Sequence, residues 1–108
     1  MLNRTIYNAN TSDADGDVVE VSTKETVVGL CTVEVVGTGA NKPTVSIKGK
    51  LFNSDDVSVD SGWVDIVTFT DIDDNAVVGR SIGIFTFMKA VVSGNTDSKN
   101  IQVSIGYN

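Results

Sequence analysis

From Val18 onward, short apolar runs alternate with clusters rich in Gly, Asn, Asp and Ser, about every ten residues. That spacing is the signature of a sandwich or barrel built from short strands. The clearest stretch is Thr44 to Phe52, where Val45, Ile47, Gly49 and Leu51 share one parity and Thr44, Ser46, Lys48 and Lys50 the other. Successive strand residues point to opposite faces, so this run predicts one buried and one wet face, as in an antiparallel sheet. Further strands are predicted over Val18 to Thr23, Val27 to Val36, Trp63 to Thr70 and, briefly, Val77 to Gly79. Arg4 to Asn8 reads as an edge strand, and Ile101, Val103, Ile105 and Tyr107 alternate with polar or small neighbours. Ser81 to Val92 is apolar on both parities, which predicts a strand central in its sheet or covered by a neighbouring subunit.

The punctuation agrees. Ala9 to Asp17 is a loop of small polar and acidic residues. Gly37 to Pro43 is a turn whose glycines accept positive φ, with the only proline placed where a strand begins. Asn53 to Gly62 is an acidic loop carrying a short Val57-Ser58-Val59 alternation, Asp71 to Asn75 is a turn, and Ser93 to Asn100 reads as a hairpin loop. The expected fold is all-β, an antiparallel β-sandwich of seven to eight strands, with jelly-roll and immunoglobulin-like topologies both open. It forms one domain over residues 1–108, with an N-terminal arm over about residues 1–17.

Composition strengthens this picture. Val, Ile and Thr occupy 37 of 108 positions and Leu only three, which suits a pleated surface and leaves little material for amphipathic helices. A chain of this length buries roughly two-thirds of its unfolded surface. That permits one core with little spare stability, so self-association is expected to help, with Ser81 to Val92 the first place to look.

The formal charge is −6, and the eight cations are scattered, with only Lys48 and Lys50 sharing a strand face. Nucleic-acid binding needs a basic stripe, so it is not expected. No apolar run reaches the roughly 18 residues of a membrane span, and the first residues lack the apolar core of a secretory signal. The chain is therefore expected to be made in a cytoplasm, where the two glycosylation-like triplets, Asn3-Arg4-Thr5 and Asn10-Thr11-Ser12, are chance matches.

Candidate chemistry is sparse. There is no His and one Cys, which removes the usual general base, the commonest neutral metal ligand, any Cys/His dyad and any internal disulfide. Asp13, Asp15 and Asp17 alternate like the start of a Ca²⁺ loop, but the sixth position is Val18 and the twelfth Lys24, where Gly and a bidentate carboxylate are required. Asp71, Asp73 and Asn75 fail likewise, with Ala76 and Ile82 at those positions. Glu20, Glu34 and Asp65 read as solvent-facing strand residues rather than a hydrolytic pair. Cys31 lies among Val33 and Val35 as a buried thiol. No metal, cofactor or catalytic residue is expected. Trp63 keeps a sugar-binding platform in play, although its parity with Val67 and Phe69 assigns it to the core.

The final segment runs Phe85-Thr86-Phe87-Met88-Lys89-Ala90-Val91-Val92, a turn, then Ile101-Gln102-Val103-Ser104-Ile105, and a polar arm precedes the sandwich. With the length, the Val/Thr/Ile/Asp/Gly bias and the lack of catalytic equipment, the chain resembles the small all-β structural proteins of tailed-bacteriophage virions, most of all capsid decoration (cement) proteins. The resemblance implies a non-enzymatic virion protein that binds the major capsid protein or another virion protein at junctions of the lattice, often as a dimer or trimer. Leu2, Ile6 and Tyr7 in the arm are the candidate subunit contacts. The alternative is a small carbohydrate-binding or host-attachment module of a phage tail.

Overall fold

The computed structural model describes residues 2–21, 27–50 and 62–107, with the side chains of Leu2 and Val27 outside the description. It is all-β: the described residues form nine strands, β1 (Leu2–Ala9), β2 (Ala14–Asp15), β3 (Val19–Glu20), β4 (Val27–Val36), β5 (Thr44–Lys50), β6 (Val64–Phe69), β7 (Ala76–Ile84), β8 (Phe87–Ser93) and β9 (Asn100–Tyr107). They make two antiparallel sheets packed as a sandwich. Sheet 1 has the order β1-β9-β4-β7, and sheet 2 the order β2-β8-β5-β6, with β3 also paired to β8. From β4 onward, every strand except β6 lies in the sheet opposite to that of the strand before it.

The core fills the space between the inner faces. Cys31, Val33 and Val35 of β4 and Ile101, Val103 and Ile105 of β9 meet Val45, Ile47, Met88, Ala90 and Val92 of sheet 2, all buried. The period-2 pattern produces this directly: β9 buries Ile101, Val103, Ile105 and Tyr107 and leaves the alternate residues at least partly exposed. Tyr107 closes the far end by donating its hydroxyl to the Val21 carbonyl at 2.5 Å.

Four sequence expectations change. Ser81 to Val92 is not one strand: β7 ends at Ile84, Phe85 and Thr86 turn the corner, and β8 begins in the other sheet. Its second apolar parity is covered within the chain, since Phe85 packs on the core and Phe87 and Val91 are half-buried. The brief strand at Val77 to Gly79 is the middle of β7. The Ser93 to Asn100 connection is not a hairpin loop, because β8 and β9 belong to different sheets and do not pair. A local alternation cannot reveal which sheet a strand joins, so adjacency in sequence is no guide to adjacency in space. Of the strand expected over Val18 to Thr23, β3 forms over Val19–Glu20, while Ser22 and Thr23, like the Val57–Val59 alternation, lie outside the described residues.

Candidate functional site

The outer face of sheet 2 gathers the polar chemistry. The register sets Lys48 directly opposite Lys89 and Lys50 opposite Phe87. Asp65 lies opposite Lys48 on the other side. Lys48 pairs with Asp65 at 3.5 Å and Lys89 with Asp15 at 3.0 Å. Trp63 joins this face because of one extra residue. The β5–β6 ladder passes from Ile47↔Val67 to Lys48↔Asp65, so Ile66 is a β-bulge that reverses the parity of everything before it. Val67 and Phe69 are buried in the core, whereas Asp65 points outward and Trp63 lies with the lysines, half-buried. The parity rule that assigns Trp63 to the core fails at this bulge. The Lys89 ammonium sits 4.7 Å and that of Lys50 5.5 Å from the centre of the indole ring. The indole Nε1–H is buried without a hydrogen-bond partner among the described residues. Asp15, Lys48, Trp63, Lys89 and Val91 line a groove of about 350 Å³.

The other sequence candidates separate. β1 is a full edge strand of sheet 1 rather than a detached arm. Its ladder to β9 steps from Thr5↔Ser104 to Tyr7↔Val103, and the extra residue, Ile6, is buried in the chain's own core at 4 % exposure. Tyr7 packs on that core with its hydroxyl buried and without a partner among the described residues, beside a groove of about 410 Å³ between β1 and residues 14–17. Leu2 pairs with Tyr107 through its backbone. Cys31 is fully buried, and desolvation pushes its thiol pKa up to about 12, which makes it a poor nucleophile. Glu34 and Asp65 point outward from opposite sheets.

The acidic loops tie the connections together. Asp13 accepts the Gly94 N–H, Asn75 that of Gly37, Asp97 that of Asn41, and Asp73 pairs with Lys42 at 2.6 Å. That pairing with Asp73 holds the Lys42 ammonium above its usual pKa. At the centre stands Lys99, 2 % exposed, whose ammonium donates to the carbonyls of Asn41 (2.6 Å) and Gly39 (3.4 Å) and to Asp74 (2.5 Å). Lys99, with the Gly39 N–H, holds the Asp74 carboxyl below the usual carboxylate range. Asn95, also buried, donates to the Thr11 and Lys99 carbonyls and accepts from the Lys99 N–H. Sequence patterns single out neither residue. A loop lysine looks like any solvated one, and its partners lie 25 to 60 positions away.

The outer face of sheet 1 is of another kind. Val28, Leu30, Thr32, Glu34 and Val36 occupy its outward positions on β4. They are flanked by Val77, Gly79, Ser81 and Gly83 on β7 and by Asn100, Gln102, Ser104 and Gly106 on β9. Asn3, Thr5 and Asn8 complete the face on β1. Among these described residues Glu34 is the single charge. Val28 is 76 % exposed, Val77 62 %, and Leu30 and Val36 nearly half. Both edges of this sheet carry an arginine at a core-facing register position: Arg80 opposite Cys31 and Arg4 opposite Ile105, each exposed. A charge so placed opposes the addition of another strand.

Comparison with known protein families, curated proteins and solved structures finds no match to this chain.

Proposed function

We propose that the chain is a non-enzymatic structural protein that pairs with a second copy of itself through the outer face of sheet 1, as a building unit of a virion surface. The observation that carries this reading is the contrast between a chain of charge −6 and a sheet face with one charge and four exposed Val and Leu side chains. Two copies repel each other least there. The surface is also self-complementary in shape: the β4 ridge of Val28, Leu30 and Thr32 runs between lanes of Gly and Ser on β7 and β9. A two-fold pair would seat each ridge in its partner's lane, as an isologous contact requires. Four strands about 4.8 Å apart and about eight residues long give roughly 500 Å² per copy, hence about 1,000 Å² in the pair, the lower bound for a specific contact. The arginines at both edges direct association to the face instead of the edge.

The virion setting rests on the resemblance to capsid decoration proteins and on strand order. The arrangement β1-β9-β4-β7 over β2-β8-β5-β6 matches the pattern of a double-sheet jelly roll, an architecture recurrent in viral capsids and lectins. Binding to a capsid lattice would multiply a modest contact by many equivalent copies.

Sedimentation velocity over a concentration series tests the pairing. The expected result is a reversible dimer that Leu30→Lys and Val28→Lys each convert to monomer without loss of fold. A monomer at several hundred micromolar, or a dimer unchanged by both substitutions, overturns it. Peptide mass mapping of purified phage particles tests the setting, and absence of this chain from them sinks it.

A further inference from the structure

We propose that the groove between Lys48, Lys89 and Trp63 on sheet 2 binds the anionic group of a small ligand, a carboxylate, sulfate or phosphate. Nothing in this site depends on the pairing face of sheet 1. An acidic chain with eight cations places three of them, Lys48, Lys50 and Lys89, on neighbouring positions of one sheet face, around its only tryptophan. Two of them stand directly opposite each other, an arrangement that weakens a sheet through like-charge repulsion. Local rules are broken in this way at functional or strained sites.

Lys50 and Lys89 are both buried, at 3 % and 8 % exposure, and Lys89 is so although it sits on an outward position between the core residues Met88 and Ala90. Its carboxylate partner, Asp15, is itself well exposed and reaches it from a two-residue edge strand at 3.0 Å. The buried indole Nε1–H beside the lysines has no acceptor among the described residues, and a buried donor without a partner is costly. Apart from Asp15, the charged and polar groups of the groove wall are donors. An oxyanion accepts from ammonium groups through short, charge-assisted bonds. At Lys89 it replaces the Asp15 carboxylate, which passes into solvent, and between Lys48 and Lys89 it relieves their repulsion. The ammonium groups lying over the indole leave that ring a poor stacking platform for a neutral sugar.

Trp63 is the chain's sole tryptophan, so its emission reports the groove directly. The protein is titrated with sodium sulfate, inorganic phosphate, sodium glucuronate and glucose, against sodium chloride at matched ionic strength. The expected result is a saturable change with at least one oxyanion. Its half-saturation rises at least tenfold in Lys48→Gln and in Lys89→Met, and falls in Asp15→Asn, which removes the competing carboxylate. Sulfate or phosphate acting alone identifies a tetrahedral oxyanion, and glucuronate alone a carboxylated sugar; either supports the site. No saturable response, a response equal to that of chloride, glucose acting as strongly as glucuronate, or binding unaltered in both lysine variants overturns it. Calorimetry of the unaltered protein with the same salts tests the site without any variant: a saturable heat with an oxyanion supports it, and none with any of them overturns it.

Discussion

The two outer faces of this sandwich share one core and differ in almost everything else. On sheet 1, the outward positions hold Val, Leu, Thr, Ser, Gly and amides with Glu34 as the single charge among the described residues. On sheet 2, equivalent positions hold Lys48, Lys50, Lys89, Asp15 and Asp65 around Trp63. Solubility demands neither pattern by itself, since a mixed charged surface would serve on both sides. On the proposed reading the difference is one of neighbours: a face with a single charge suits another sheet, and paired cations beside a donor-rich groove suit a small anion.

Two distinct faces exist only while both sheets are held in place, and the largest effect comes from undoing that. Lys99→Met leaves Asp74 and the carbonyls of Gly39 and Asn41 without their ammonium. It should cost about 1–3 kcal/mol in urea unfolding, the range for carbonyls left without their donor, since Asp74 itself still reaches solvent. Both faces would then fail together, unlike any substitution on one face. Leu30→Lys should weaken self-association about 100-fold or more in sedimentation while moving stability by no more than about 0.5 kcal/mol, because the residue is exposed. Lys48→Gln, its counterpart on the opposite face, should leave the dimer intact and alter only the response of Trp63 to oxyanions. Its effect on stability should stay within about 1 kcal/mol, since the lost pair with Asp65 is offset by relief from Lys89.

Titration gives the smallest effects, common to both faces. Asp74 ionises more readily folded than unfolded, so its contribution is complete above the unfolded pKa of about 3.9 and is lost as pH falls through the lower folded value. Lys99→Met should remove that part of the acid dependence of unfolding. Cys31 behaves oppositely. With a folded pKa near 12, it favours the native state fully below the unfolded value of about 8.5, and that contribution declines as pH rises above it. Thiol-specific reagents at neutral pH should leave the native protein unlabelled and react once it is unfolded.

Much of the sandwich is legible in the sequence because alternation is physical: a half-buried strand must place its apolar residues two apart. Val27–Val36 and Thr44–Lys50 follow from that rule. The rule breaks where the backbone inserts a residue. The bulge at Ile66 carries Trp63 from its expected place in the core to the outer face, and the bulge at Ile6 turns an expected contact residue inward. No side-chain pattern announces such insertions. Nor does alternation distinguish a hairpin from a crossing between sheets, which is why the Ser93 to Asn100 connection resembles a hairpin loop without being one. The lysine groove is half visible, as the shared parity of Lys48 and Lys50; Lys89 joins it only through pairing with a strand about 40 positions away.

The placement of β9 between β1 and β4 has a consequence for biosynthesis. The strand that completes the middle of sheet 1 is the last of the nine to leave the ribosome, and β1 cannot find its partner until then. The nascent chain therefore carries an open seam along β4 until β9 emerges, and folding waits for pairing between residues as far apart as Leu2 and Tyr107. Removal of β9 would not trim an edge; it would leave the first strand with nothing to join.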